Sequence, residues 1–182
     1  MYIIIWKKKY GEIMDCINEY IPAKINCDYV LEVKEKFNFD YAHFLSNYDG
    51  KCYNIHGHTA KVSVEIHGSP GKDGFVIDFG IIKSEIKNII DEYDHKILVS
   101  ANCVESYDDE FVNIKYGKNY MKLERDMVVI TGSEPTVEYI SRRILYLLIN
   151  VLKKKEYKNI EGISVIISEG EHNYCKVYDT LW

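Results

Sequence analysis

Two alternating stretches, joined by a polar loop, do most to fix how this sequence can fold. In residues 29–41, Leu31, Val33, Phe37, Phe39 and Tyr41 share one parity, and in residues 61–66 so do Val62, Val64 and Ile66. A two-residue period is that of a strand buried on one face. Residues 46–51, Ser-Asn-Tyr-Asp-Gly-Lys, read as the loop between the strands. His43 continues the parity of the first stripe, and His56-Gly57-His58 precedes the second. Residues two apart on an extended strand point the same way. If the strands are hairpin neighbours, His43 comes to lie opposite His56 and His58.

The rest of the pattern completes an α+β order. Ile82, Ile86, Ile89, Ile90 and Tyr93 mark an amphipathic helix over 80–93. A second helix starts near Pro135-Thr136, with Glu138 in its first turn, and runs through Tyr139, Ile140, Ile144, Leu147, Leu148 and Val151. Strands follow at 163–167 and 174–178, turning at Gly170. Residues 100–130 read as a hairpin excursion, with 111–114 and 120–123 flanking Gly117-Lys118-Asn119. Strand pairs split by two helices predict an antiparallel sheet with both helices on one face. Residues 1–30 read as an N-terminal extension, with a short helix through Ile13, Ile17 and Ile21 that Pro22 stops, and residues 31–182 as a single domain.

Composition excludes several classes. The chain has 23 Lys and Arg against 28 Asp and Glu, a net charge of −5, and its longest basic run is Lys153-Lys154-Lys155. No basic face for nucleic acid is expected. The five cysteines, at 16, 27, 52, 103 and 175, form no CxxC pair and read as thiols of a reducing cytoplasm. No apolar run approaches the roughly 20 residues of a membrane span. The first six residues are apolar before they are basic, the reverse of a secretory leader.

Three neutral imidazoles with a fourth position open describe a catalytic zinc site, and Gly57 between two of them leaves room for the ion. The competing reading of His56-Gly57-His58 is a turn with two solvent-exposed histidines. Cys52, four residues before His56, is open to two readings: a fourth ligand closing a structural site, or a free base beside the metal. Asp94-His95 follows the first helix, where a histidine also suits the helix dipole. Glu169 ends a strand and could grip an amino-pyrimidine ring. His67 and His172 are read as structural or exposed.

Six stretches, in order, carry a resemblance: 37–43 (FNFDYAH), 52–59 (CYNIHGHT), 74–79 (GFVIDF), 93–96 (YDHK), 135–138 (PTVE) and 168–169 (SE). Over roughly residues 31–180 the chain resembles the 6-pyruvoyl-tetrahydropterin synthase and 6-carboxytetrahydropterin synthase family. The resemblance implies the tunnelling fold: a four-stranded antiparallel sheet with two helices on one face, joined edge to edge into an oligomeric β-barrel. The implied oligomer is a trimer or hexamer with active sites between subunits. It implies Zn2+ on His43, His56 and His58, Cys52 as general base, Asp94 and His95 as a proton relay, and Glu169 holding the pterin with Thr136 nearby. The implied substrate is 7,8-dihydroneopterin triphosphate.

Three residues separate Cys52 from the HGH motif, as in the bacterial carboxy enzymes of the queuosine pathway, and no glutamate precedes the motif as in the folate branch. The expected product is therefore 6-carboxytetrahydropterin, with acetaldehyde and triphosphate released. The alternatives are the 6-pyruvoyl product from the same residues, a non-catalytic pterin- or purine-binding member of the fold, and a structural His3Cys zinc site. The long excursion at 100–130 departs from compact members of the family.

Overall fold

A computed structural model describes residues 29–182 of the chain. The short helix expected around Ile13, Ile17 and Ile21 lies outside the described residues. The long alternating stretches form β1 (Tyr29–His43) and β2 (His56–Gly68), paired antiparallel with Val33 opposite Val64 and His43 opposite His56. The first strand thus takes in Tyr29 and Val30, the last two residues assigned to the extension. Its parity survives a bulge: from Val33 to Phe37 it advances four residues while β2 advances two. The two extra residues leave the apolar face unturned, where one would have reversed it.

The first helix, α1 (Phe79–Ile90), starts where the Asp78 carboxylate accepts the N–H groups of Gly80 and Ile81. Between the helices lie β3 (Lys96–Ser100), β4 (Val104–Tyr107), β5 (Phe111–Tyr116), β6 (Asn119–Glu124) and β7 (Val128–Thr131). The second helix, α2 (Val137–Lys154), is capped by Thr136 and carries Lys153 and Lys154 in its last turn, as the helix dipole favours. The last two strands are β8 (Ile160–Glu169) and β9 (Tyr174–Thr180).

Among the described residues the main sheet has six strands in the order β7-β3-β1-β2-β8-β9, which corrects the expected four. The four expected strands, β1, β2, β8 and β9, pair antiparallel. The two added strands lie parallel beside β1, Tyr41 meeting Lys96 and Ile97 meeting Val128. They escape a reading of alternation because Lys96–Ser100 and Val128–Thr131 are short, mostly apolar runs rather than amphipathic ones. The entry to β3 is made by His95, whose φ of 58° lets the backbone turn and whose N–H donates to the Asp40 carbonyl at 2.6 Å.

One apolar core joins a single face of the sheet to both helices: Val33, Phe39, Val62, Val64, Ile66, Val165 and Ile167 pack with Ile82, Ile86, Ile144 and Leu148. The excursion is a second antiparallel sheet, β4-β5-β6, larger than the expected hairpin. It has its own small core of Phe44, Val99, Cys103, Val112, Ile114, Tyr116 and Val128. Among the described residues no helix is long and apolar enough to cross a membrane.

Candidate metal and active site

The hairpin register builds the centre. His43 is paired with His56 and Tyr41 with His58. On β2, His56 and His58 share parity with buried Ala60, Val62, Val64 and Ile66, so both imidazoles continue the core face past the end of the core. The ligand nitrogens of His43, His56 and His58 lie within 4.8 Å of one another.

Two of the rings are fixed from behind. His43 Nδ1 lies 2.7 Å from the Pro135 carbonyl, and His56 Nδ1 lies 2.8 Å from the Asn54 carbonyl. A carbonyl only accepts, so each Nδ1 carries a proton, and in the neutral ring each Nε2 then presents a lone pair. Those two Nε2 atoms face each other at 3.0 Å. Two lone pairs at that distance repel unless a proton or a cation lies between the rings. Burial pushes the His43 imidazolium pKa below its ordinary value, and the neighbouring His56 and His58 act in the same direction against the Pro135 carbonyl. The donor set therefore fits a divalent ion that takes neutral nitrogen. Tetrahedral zinc, with Zn–N bonds of about 2.0–2.1 Å, sets neighbouring nitrogens roughly 3.3 Å apart.

Gly57 serves otherwise than expected. Its parity is opposite to that of the imidazoles, and a Cβ there would meet the Tyr41 carbonyl oxygen at 3.0 Å. The glycine allows the close approach of the two strands at this point.

Cys52 sits half-buried in a tight turn, Lys51–Tyr53, and its carbonyl accepts the Leu45 N–H at 2.8 Å. Among the described residues two groups of three potential ligands gather, His43–His56–His58 and Asp40–Asp94–His95, and Cys52 belongs to neither.

The second group gathers around Asp40. Asp94 Oδ1 accepts the Asp40 N–H at 2.8 Å, and its Oδ2 lies 3.0 Å from His95 Nδ1. The backbone N–H of Asp40, and then His95, hold the Asp94 carboxyl below the usual carboxylate range. The Asp40 carboxylate bonds Thr59, and both residues have the parity that faces away from the helices. An open cavity bordered by Asp40, Ala42, Gly57, His58, Thr59 and His95 runs along this end of the hairpin.

Glu169 ends β8 opposite Ala60, on the helix side of the sheet, and its Oε1 accepts the Tyr41 hydroxyl. Burial, and then the Glu169 carboxylate, drive the Tyr41 phenol pKa far above its ordinary value, so it stays a donor. Thr136 caps α2, its hydroxyl accepting the Tyr139 N–H at 3.4 Å. Residues that sequence reasoning misses adjoin it. Pro135 offers the carbonyl for His43, and the Glu134 carboxylate accepts from Ser46 and Asn47 at the start of the Cys52 loop. Tyr41 reads from the sequence only as core; its place two residues before His43, on the same side of the strand, is the signal that could have found it.

A sheet of antiparallel hairpins backed by two helices, with imidazoles converging at the end of one hairpin, is the tunnelling fold. The 6-pyruvoyl tetrahydropterin synthase of Plasmodium vivax superposes on it with a TM-score of 0.76 at 23 % identity, covering 85 % of this protein and 99 % of that one. That likeness concerns the fold alone. Residues 32–180 match the family described as 6-pyruvoyl tetrahydropterin synthase, and the chain belongs to that family of pterin lyases.

A Pyrococcus abyssi relative that carries the name 6-carboxy-5,6,7,8-tetrahydropterin synthase is 34 % identical over 149 residues, 79 % of this protein and 87 % of its own length. The 6-carboxy-5,6,7,8-tetrahydropterin synthase of Haemophilus influenzae is 45 % identical over 74 residues, 38 % of this protein and 52 % of that one.

Proposed function

We propose that this protein is a zinc-dependent lyase. It would convert 7,8-dihydroneopterin triphosphate and water to 6-carboxy-5,6,7,8-tetrahydropterin, releasing acetaldehyde and triphosphate, as a cytoplasmic step of queuosine and 7-deazapurine biosynthesis. The observation that carries the metal assignment is the pair of Nε2 atoms facing each other at 3.0 Å, with the Nδ1 of each ring set against a backbone carbonyl. Family membership and the names of the relatives support the substrate class.

In this reading His43, His56 and His58 hold the zinc, which when bound acts as a Lewis acid toward the substrate's hydroxyl groups. Cys52, outside the ligand group, is the base that removes a proton from a carbon of the substrate's side arm. Glu169, oriented by the Tyr41 hydroxyl, accepts from the amino-pyrimidine edge of the pterin. Thr136, at the N-terminus of α2, lies beside the ring.

Asp94 and His95 relay the proton. They gather at Asp40, whose side chain faces away from the helices, whereas the three ligand histidines lie on the helix side. We therefore assign the pair to a site completed by a neighbouring subunit of a homo-oligomer, trimer or hexamer.

The test is Cys52→Ala, assayed for metal and for turnover together. The expected variant keeps one zinc per subunit and loses at least about a hundredfold in kcat, the usual scale for a lost general base. Loss of the metal with the thiol would make Cys52 a ligand and the site structural. Full turnover by the variant would remove Cys52 from the chemistry. Acetaldehyde among the products separates the carboxy from the 6-pyruvoyl reaction.

A further inference from the structure

The loop that carries Cys52 is tied at its front to the Glu134 carboxylate, and something must also fix the distance of its Cys52 end from the histidines. It leaves β1 at Phe44, the residue after His43, and reaches Tyr53, the residue after Cys52, before entering β2. Both aromatic residues meet the same partner. The Tyr116 ring stacks on buried Phe44 with centroids 3.8 Å apart and planes at 17°. It also receives Tyr53 edge-on at 5.3 Å and 66°. Tyr116 is the last residue of β5, and the two-residue turn to β6 begins at Gly117 with φ 55°. A turn with glycine in its first central position matches the twist of the strands it joins. The turn also passes directly beneath Tyr53: a Cβ at Gly117 would collide with the Tyr53 hydroxyl.

We propose that the β5–β6 hairpin is the positioning element of the active site. Tyr116, wedged between Phe44 and Tyr53, sets the placement of Cys52 relative to the ligand histidine His43. The inference rests on the assignment of Cys52 as the base. It gives the excursion at residues 100–130 a role in the reaction, since its edge is a jaw closed on the loop. Stacked and edge-to-face rings hold a defined separation and angle, which an aliphatic contact of equal area does not. Placement matters because a displacement of about 1 Å at a reacting group can cost about a hundredfold in rate.

The test compares Tyr116→Leu with Tyr116→Phe in the metal-loaded, full-length protein. Three quantities are read: kcat and KM for 7,8-dihydroneopterin triphosphate, zinc content, and the alkylation rate of the Cys52 peptide by iodoacetamide. Cys175, on β9, serves as the internal reference. Tyr116→Leu is expected to lower kcat about tenfold or more with KM within about threefold. It should keep its zinc and change Cys52 alkylation several-fold relative to Cys175. Tyr116→Phe, which keeps the ring, is expected to restore both readings.

Wild-type kcat and alkylation in Tyr116→Leu would overturn the inference, and so would a loss confined to zinc content. If Tyr116→Leu does not fold, Tyr53→Leu breaks the same contact from the loop side and is judged by the same readings. The alkylation arm reports the loop whatever the thiol does. A wrong base assignment therefore shows as an active Cys52→Ala, and a wrong positioning role as an unchanged alkylation rate.

Discussion

At the scale of single residues, the chemistry of the site is set by groups that hold the functional side chains from behind. His43 and His56 offer nitrogen lone pairs because the carbonyls of Pro135 and Asn54 occupy their other ring atoms. The Asp94 carboxylate is held in the same manner by the Asp40 N–H. This has a consequence for acid stability. Asp94 has a folded pKa below its ordinary 3.8, so it contributes stability that is fully present above that value. The contribution is lost as pH falls through the lower folded value. Asp94→Asn keeps an acceptor for the Asp40 N–H but cannot ionise. The wild type should therefore melt higher than the variant near neutral pH, and the gap should close as pH is lowered below about 4. A gap that widens toward acid pH would mean that the charge of Asp94 is not what the Asp40 N–H and His95 favour. The three histidines stand out in the sequence by type and spacing, and Cys52 and Glu169 by their places in the loop and at a strand end. The carbonyls that fix the imidazoles do not, because any residue supplies a carbonyl and its contact leaves no mark in the sequence.

At the scale of elements, three consecutive residues before α2 tie the centre together. Glu134 accepts from the backbone and hydroxyl of Ser46 and from the Asn47 amide, Pro135 holds His43, and Thr136 caps the helix. The helix start thereby fixes both the His43 end of β1 and the front of the Cys52 loop. Glu134→Ala removes the acceptor of three hydrogen bonds while leaving the Pro135 carbonyl in place. It is expected to cost about 1–2 kcal/mol of stability, less than the sum of the bonds because Ser46 and Asn47 can turn to water. Backbone exchange should quicken at residues 45–48 and zinc content should stay unchanged. An unaltered melting temperature with unaltered exchange at Ser46 would show that the loop does not depend on this carboxylate. The long elements were legible because each has a period and a length: β1 and β2 alternate, and α1 and α2 repeat isoleucine or leucine every three to four residues. The short parallel strands β3 and β7 were not. Five and four residues carry too little pattern, and their pairing beside β1 depends on contacts far away in the sequence.

At the scale of the whole molecule, the described residues carry two separate groups of potential ligands and two sheet edges with no strand beyond them. Strands β7 and β9 end the sheet, and β9 exposes Tyr174 and Tyr178. Such edges carry backbone groups that edge-to-edge association with other copies would satisfy. The same association would bring the Asp94–His95 pair of one subunit to the histidine centre of another. This division of labour can be read without knowing the size of the oligomer. Cys52→Ala and His95→Ala are each expected to be nearly inactive alone. Co-expressed in equal amounts as mixed oligomers, they should recover activity, because some sites then draw Cys52 from one variant and His95 from the other. Random assembly gives such sites about one chance in four, so recovery should approach about a quarter of wild type. If both residues serve the site of their own subunit, no mixed oligomer contains an intact set, and the mixture stays as inactive as its parts. Activity in the mixture with none in either parent is an outcome that a site within one subunit does not allow.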